Sequence, residues 1–247
     1  MNREKSTNFV LNKKRGQCPR HIHMSVTTNI QQLKATLPPQ VGLIAVSKFQ
    51  PVEKLQEAYE AGQRLFGENR ALEMRDKHSL LPQDIQWHFI GHLQRNKIKY
   101  IAPFVAMIHS VDSPELLEDI DRAAEKAGRT IPCLLQLHIA REETKFGFSP
   151  QEALDYLAGG TWRSLEHIRL CGMMGMATFT DNQAQVLEEF GLLKQCFDTA
   201  KEKWFAADDG FRHLSMGMSD DYPLAIQCGS TMVRIGTAIF GSRPLNP

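Results

Sequence analysis

Residues 42–62 read GLIAVSKFQPVEKLQEAYEAG and contain one complete strand–helix unit. Gly42 to Val46 are apolar at every position, which is typical of a parallel strand buried on both faces. Pro51 suits the first turn of a helix, and Glu53 adds the negative charge that helix starts favour. Gly62 ends the helical pattern. The stretch therefore predicts a buried parallel strand and a helix that covers it.

The same unit recurs along the chain. Further strands are predicted at residues 64–66, 86–90, 106–109, 133–139, 168–174, 213–215 and 232–235. Helices are predicted after Asn69, after Gln94, from Pro114 behind a Ser113 cap, from Pro150, across Val186 to Trp204, and from Asp220 behind a Ser219 cap. Eight alternations in 247 residues predict one closed (β/α)8 TIM barrel of the α/β class. A doubly wound open sheet is disfavoured, because residues 46–49 are not the Gly-rich turn that such sheets usually carry after their first strand.

The composition is that of a globular protein, with 42% hydrophobic residues, 23% charged residues and a formal net charge of +1. This balance predicts neither a nucleic-acid partner nor a membrane partner. No stretch approaches the ~18 consecutive apolar residues of a membrane span. Five cysteines without C-x-x-C spacing predict reduced thiols in a cytoplasmic protein, with neither a disulfide framework nor a zinc site.

Residues 1–23 differ from the rest of the chain. They carry six Lys or Arg residues against one acid, Glu4. The segment lacks the apolar core of a signal peptide. A disordered basic tail, an organelle transit peptide and an over-extended start before Met24 all fit, and the tail or the over-extended start is favoured. Residues 24–247 are predicted to form the barrel domain.

Functional groups of such barrels sit at the carboxyl ends of the strands. Lys48 directly follows the first strand, and Glu68 and Asn69 follow the second. A lysine in that position is partly desolvated, which favours the neutral amine that attacks a carbonyl. The alternative is a lysine that reaches solvent at the barrel rim. His88 and His92 are four residues apart, but a strand and a turn separate them, so they are interpreted as core or rim histidines without a metal.

The last two strand ends suggest a phosphate site. Strand seven leads into Ser215, Gly217 and Ser219, and strand eight leads into Arg234, Gly236 and Thr237. Barrels often bind a phosphate between these two loops, where hydroxyls and glycine N–H groups approach an anion. Two ordinary capped helix starts are the alternative. Together with Lys48, the loops describe a phosphate-bearing aldehyde that is held at both ends.

Long segments of the chain resemble one known family, the pyridoxal phosphate homeostasis proteins, which are relatives of the alanine racemase barrel. The resemblance runs from about residue 27 to residue 243, and it rests on Ala45-Val46-Ser47-Lys48, Phe66-Gly67-Glu68-Asn69, Trp87-His88-Phe89-Ile90-Gly91, Leu214 to Asp221 and Gly229 to Gly241.

This resemblance implies a barrel of the fold-type III kind that binds pyridoxal 5′-phosphate (PLP). Lys48 would hold PLP as an internal aldimine, a Schiff base. Arg234 would lie near the pyridine nitrogen. The remaining site residues implied are Ser215, Gly217, Gly236 and Thr237 around the phosphate, and Asn69 and Met176 lining the pocket.

A carrier is expected rather than an efficient enzyme. Arg234 keeps its proton, so the ring nitrogen stays unprotonated and the ring is a weaker electron sink. In the alanine racemases, by resemblance, a second acid/base group comes from an added C-terminal domain, whereas this chain stops at Pro247. None of the four tyrosines falls at a predicted strand end.

The sequence therefore predicts a monomeric protein of intracellular PLP homeostasis. It would have no catalytic residue, and it would make transient contacts with PLP enzymes that lack their cofactor. Two alternatives stay open: a PLP-dependent amino-acid racemase of low activity that uses Lys48 as a base, and a barrel that binds a different phosphate ester.

Overall fold

Eight parallel strands close into a barrel in the computed structural model, which describes residues 25–142 and 146–241. Each strand pairs with the next one along the chain, and the first pairs with the last. The strands are β1 (Gly42–Val46), β2 (Leu65–Glu68), β3 (Gln86–Phe89), β4 (Met107–Val111), β5 (Ile131–Leu137), β6 (Ile168–Gly175), β7 (His213–Ser215) and β8 (Met232–Ile235). The predicted (β/α)8 fold is confirmed. The interpretations of residues 1–23 and of the chain end at Pro247 lie outside the described residues.

Helices surround the barrel. They are α1 (Val26–Thr36), α2 (Val52–Glu60), α3 (Ala71–Leu80), α4 (Pro114–Lys126), α5 (Pro150–Gly159), α6 (Gln183–Trp204), α7 (Tyr222–Gln227) and α8 (Thr237–Phe240), with 3₁₀ helices at Arg95–Tyr100 and Thr161–Ser164. Within the described part of the chain, none of them combines the length and the apolar character that a bilayer crossing demands.

The start and stop signals of α4 act as the sequence predicts. The Ser113 hydroxyl accepts a hydrogen bond from the Leu116 N–H at 3.2 Å, and Pro114 is the first helical residue. Gly128 follows the helix with a φ of 64°, a left-handed conformation that glycine adopts without a Cβ penalty.

Two local expectations differ from the structure. The segment after Gln94 is a 3₁₀ helix and not an α-helix. Its only buried residue is Ile98, and Pro103 follows closely, so the segment has neither the apolar face nor the length for a stable α-helix. At α7 the N-cap is Asp221 instead of Ser219, and the Asp221 carboxylate accepts the Met218 N–H at 2.5 Å.

Strand alternation separates two apolar regions. Side chains such as Phe66, Trp87 and Ile235 point away from the barrel axis and form the layer between strands and helices. The opposite set of side chains fills the lower barrel interior: Ile44, Met107, Leu134, Cys171, Met174 and Met232. The carboxyl half of the interior, by contrast, holds the polar side chains described below.

A bulge in β6 requires glycine. Pairing with β5 shifts register between Cys133 and Leu134, so Cys133 lies opposite Leu170 and Leu134 lies opposite Gly172. Gly172 has a φ of 148°, and a Cβ on it would lie 1.8 Å from the His213 carbonyl oxygen. The junction of β6 and β7 therefore depends on the missing side chain.

We expect Gly172→Ala to destabilise the fold by about 2–4 kcal/mol, because the strained backbone and the clash with β7 cannot both be relieved. Gly191→Ala is the matched control: this glycine lies exposed within α6, with open space around its Cβ position, and alanine there should stabilise by about 0.5–1 kcal/mol. Urea unfolding of both variants measures the difference. Equal stabilities would contradict the assigned bulge.

Candidate cofactor site

Lys48 lies in the turn that directly follows β1, and it is half-buried. Ile44, four residues before it on β1, has its side chain in the barrel interior. Ile44 is paired with Arg234 across the β1–β8 junction. A Cβ on Gly236 would lie 3.1 Å from the Val46 carbonyl oxygen. The barrel closure therefore places the end of β1, which the Lys48 turn follows, beside the loop after β8.

The turn that carries Lys48 has an unusual backbone. Phe49 has a φ of 62° and is the one non-glycine residue with positive φ among those described. Its N–H donates to the Glu73 carboxylate at 2.7 Å, and the Arg70 guanidinium lies 4.7 Å from its ring centroid. Such a conformation persists only where the surroundings impose it. Contacts from α3 and its N-cap therefore hold the turn in place.

A buried ammonium group connects this turn to β2 and α3. Lys77 Nζ donates to the Ser47 carbonyl oxygen at 2.7 Å, to Glu68 at 2.8 Å and to Glu73 at 2.7 Å. The Ser47 hydroxyl also donates to Glu68, at 2.6 Å. Burial raises the pKa of Glu68, and the nearby Lys77 charge and hydrogen bond oppose that rise. The three hydrogen bonds of the Lys77 ammonium thus link Ser47, the residue before Lys48, to β2 and α3.

Sequence reasoning assigned no role to Lys77 or Glu73. The only signal in the sequence is their spacing of four residues on one helix, which is common on solvated helix faces. That spacing does not reveal that Lys77 is buried, because burial depends on how α3 packs over the ends of β1 and β2.

Arg234 is a buried cation held by neutral oxygens. Its side chain is on β8, and the residue is 4% exposed. Nη1 donates to the Ser215 carbonyl oxygen at 2.8 Å and to the Ser215 hydroxyl at 2.7 Å, and Nη2 donates to the Gly175 carbonyl oxygen at 3.0 Å. Burial lowers the pKa of Arg234 to about 10. No carboxylate of the described residues forms an ion pair with it, so the guanidinium can still bind an electron-rich group.

The Ser215 hydroxyl lies inside the barrel. The residue is fully buried, and its Oγ contacts Arg234 and His109 Nδ1, the latter at 3.0 Å. Its expected contact with a phosphate stays a prediction. Ser219, on the same loop, is only partly buried. The loop therefore presents a second hydroxyl that is more accessible than the first.

Two glycines shape the loops after β7 and β8. Gly217 has a φ of 94°, and a Cβ on it would lie 2.6 Å from Ala225 Cβ. The Gly217 carbonyl oxygen accepts the Arg234 N–H at 2.9 Å, which joins the two loops. Gly236 caps α8, and Thr237, the first helical residue, is exposed. A glycine followed by an exposed threonine at the start of a helix suits an anion such as a phosphate.

Asn69 and Met176 follow β2 and β6. Asn69 Oδ1 is buried and has no hydrogen-bond partner among the described residues. Buried amide oxygens are rarely left unsatisfied in proteins, which favours a ligand at this point. Met176 packs against the interior apolar cluster. A cavity of about 810 Å³ adjoins Asn69 between α3 and the segment after β3.

His88 and His92, whose spacing raised the question of a metal site, lie in different surroundings. His88 is buried, and its Nδ1 lies 2.8 Å from His109 Nε2. His92 is exposed, stacks on Phe146 and lies 2.9 Å from the Asp112 carboxylate. In residues 25–142 and 146–241, no group of three or more His, Cys, Asp or Glu residues is arranged for a metal ion.

The site thus combines an amine-bearing turn, a buried guanidinium without a carboxylate partner among the described residues, an amide oxygen that no described residue satisfies, and two glycine loops at one end of the barrel. An aldehyde suits the amine, a ring nitrogen suits the guanidinium, and a phosphate suits the loops. These residues fit PLP.

Comparison with known proteins agrees with this fit. Residues 24–244 match the family model described as alanine racemase, N-terminal domain. The chain is 37% identical over 225 residues to the pyridoxal phosphate homeostasis protein of Pasteurella multocida, covering 90% of this chain and 94% of that one. It is 38% identical over 205 residues to the protein of the same name from Schizosaccharomyces pombe, covering 82% and 84%.

Solved structures of related proteins are also similar to this barrel. PipY of Synechococcus elongatus with PLP bound superimposes with a TM-score of 0.78 at 35% identity, over 87% of this chain and all of that chain (100%). Alanine racemase from E. faecalis superimposes with a TM-score of 0.70 at 17% identity, over 90% of this chain and 60% of that chain, which is a likeness of fold alone.

We expect Lys77→Met to destabilise the protein by about 3–5 kcal/mol at neutral pH, because the Glu68 carboxylate is then left buried without its cation. Glu68 is fully buried. Its pKa, already raised, rises further without Lys77, so the folded state holds a proton that the unfolded chain has released. The destabilisation caused by Lys77→Met should therefore become smaller as the pH falls toward 4.5, the ordinary pKa of a glutamate.

Urea unfolding at several pH values measures this effect. The double variant Lys77→Met with Glu68→Gln should recover much of the stability, because no buried carboxylate remains. A loss that is the same at every pH would show that Glu68 is not the group left uncompensated.

Proposed function

Because this chain belongs to the pyridoxal phosphate homeostasis protein family, whose barrel is that of the alanine racemase N-terminal domain, we propose that it binds PLP through Lys48 and holds it as an intracellular reserve. The observation that supports the proposal is the β1–β8 pairing, which sets the end of β1, directly before the Lys48 turn, beside Gly236 in the loop that follows β8. An amine and an anion-binding loop so arranged can hold the two ends of one small molecule.

PLP supplies, when bound, an aldehyde that bonds reversibly to an amine and a phosphate that serves as a second point of attachment. Lys48 would provide the amine. Arg234 would donate a hydrogen bond to the ring nitrogen and, because a guanidinium keeps its own proton, would leave that nitrogen unprotonated. Gly217, Gly236 and Thr237 would provide backbone and a hydroxyl for the phosphate. Asn69 and Met176 would line the pocket.

The role of carrier is favoured over that of racemase. A two-base racemase needs a second proton donor on the far side of its substrate. The four tyrosines lie on helical segments and not at strand ends: Tyr59 in α2, Tyr100 in the 3₁₀ helix after β3, Tyr156 in α5 and Tyr222 in α7. Tyr59 donates its hydroxyl proton to Asp84 at 2.8 Å. None of these four tyrosines is therefore placed at a strand end, where a second base would be expected.

Three further features are part of the proposal. The protein acts in the cytoplasm, which the free thiols of Cys133, Cys171, Cys196 and Cys228 support. It is a monomer, since the exposed large apolar side chains of the described residues are scattered over α3, α6 and two loops. It releases PLP to cofactor-free enzymes through transient contacts, for which the partial exposure of Lys48 provides access.

We expect Lys48→Ala to abolish the visible absorbance that PLP gives when bound to the purified protein, because the amine that bonds to the aldehyde is removed. Borohydride reduction followed by peptide mass mapping should place the cofactor on Lys48 in the unaltered protein. Lys99→Ala is the control, since this lysine is exposed on the 3₁₀ helix after β3. A Lys48→Ala protein that keeps the visible band would refute the anchor.

Incubation of the PLP-loaded protein with single enantiomers of several amino acids separates the carrier from the racemase. We expect no steady turnover, because no tyrosine is placed as the second base. Racemisation at ordinary enzyme rates, roughly 1–1000 per second, would establish the racemase instead.

A further inference from the structure

A chain of hydrogen bonds crosses the barrel interior beneath the site. His88 Nδ1 on β3 lies 2.8 Å from His109 Nε2 on β4, and His109 Nδ1 lies 3.0 Å from the Ser215 hydroxyl on β7. Since β4 and β7 are not neighbours in the sheet, the His109–Ser215 contact spans the barrel. The Ser215 hydroxyl in turn accepts from Arg234 Nη1 at 2.7 Å.

Every member of this chain is buried. His109 and Ser215 are fully buried, and His88 is 3% exposed. Burial lowers the pKa of His88 to about 3 and that of His109 well below its ordinary value, with the Arg234 charge adding to the effect on His109. Both imidazoles are therefore neutral, and each has one N–H to donate.

Because each imidazole is neutral, the donor and acceptor roles in this series of hydrogen bonds are linked from one residue to the next. In one arrangement His88 donates to His109, and His109 donates to Ser215. In the other, Ser215 donates to His109, and His109 donates to His88, whereas Arg234 donates to Ser215 in both. In both, the Ser215 oxygen keeps a lone pair toward Arg234. Without His109, no contact across the barrel would hold the hydroxyl, and rotation about its χ1 could withdraw the acceptor from the guanidinium.

We propose that His109 is a positioning residue of the cofactor site, which acts through the Ser215 hydroxyl to fix the direction in which the Arg234 guanidinium presents its remaining N–H groups. This inference rests on the proposed binding of PLP. It makes Ser215 a support of Arg234 from within the barrel. The phosphate is then left to the loop backbone and to hydroxyls nearer the surface, Ser219 and Thr237.

Two amide variants of His109 separate the contribution of its hydrogen bond to Ser215 from that of its hydrogen bond to His88. Asparagine places its amide near the position of Nδ1 and can still reach Ser215, whereas glutamine places its amide near Nε2 and can reach only His88. Ser110→Ala is the control, since this serine is also fully buried, is the next residue of β4 and has no hydrogen-bond partner for its hydroxyl within the described residues.

The experiment titrates each purified protein, freed of cofactor, with PLP, and it records the affinity, the position of the visible band and the thermal midpoint of the cofactor-free form. We expect His109→Gln to weaken PLP binding about tenfold, which is near the upper end of the effect of one ordinary hydrogen bond, and to shift the visible band. His109→Asn should recover most of both. Ser110→Ala should leave both unchanged.

A double variant with Arg234 distinguishes an effect of His109 on the Arg234 guanidinium from a general loss of packing in the barrel interior. In an Arg234→Lys background, His109→Gln should change PLP affinity by less than about twofold, because the group through which it acts is gone. An undiminished effect there would overturn the proposal, as would a His109→Gln protein with the affinity and band of the unaltered one. Failure of the unaltered protein to take up PLP would instead refute the proposed function, and this inference with it.

Discussion

The pairing of β1 with β8 closes the barrel, and the other features of the molecule depend on that closure. It joins the two ends of the fold in register, from Gly42 opposite Met232 to Ala45 opposite Ile235. Closure leaves no strand edge in the sheet, and it creates an interior that side chains must fill. It also brings the turn after the first strand against the loop after the last. The candidate site therefore exists only because the sheet is closed.

Two cations are buried near the carboxyl ends of the strands, and they are compensated differently. Lys77, outside the barrel, is neutralised by Glu68 and Glu73 and uses all its donors on protein oxygens. Arg234, inside the barrel, has carbonyl and hydroxyl oxygens around it and no carboxylate partner in the described part of the chain. The first arrangement is complete without a ligand and stabilises the turn. The second keeps an electrostatic preference for an electron-rich ligand. Lys77 thus stabilises the fold on the outer face of the sheet, whereas Arg234 is available for ligand binding on its inner face.

Much of the site was predictable because side-chain parity in a strand follows from the chain itself. Lys48, Asn69 and Arg234 were identified as strand-end residues, and the structure brings all three to the carboxyl end of the barrel. Two expectations about local structure were wrong. The segment Arg95–Tyr100 has too small an apolar face for an α-helix. Asp221, and not Ser219, is the N-cap of α7, and its carboxylate accepts the Met218 N–H of the preceding loop without a side-chain cap bond to the helix.

The sequence by itself determined the eight strand–helix units, the helix starts such as Ser113-Pro114, and which residues end the strands. These follow from apolar periodicity and capping chemistry, which act over a few residues. Only the tertiary structure decided that His88, His109, Ser215 and Arg234 form one chain, and that Lys77 is buried beneath the Lys48 turn. The physical reason is distance along the chain. The alternation of side chains along a strand indicates which of them point into the barrel. Which residues they contact there depends on strand tilt and register, and these are fixed only when the sheet closes.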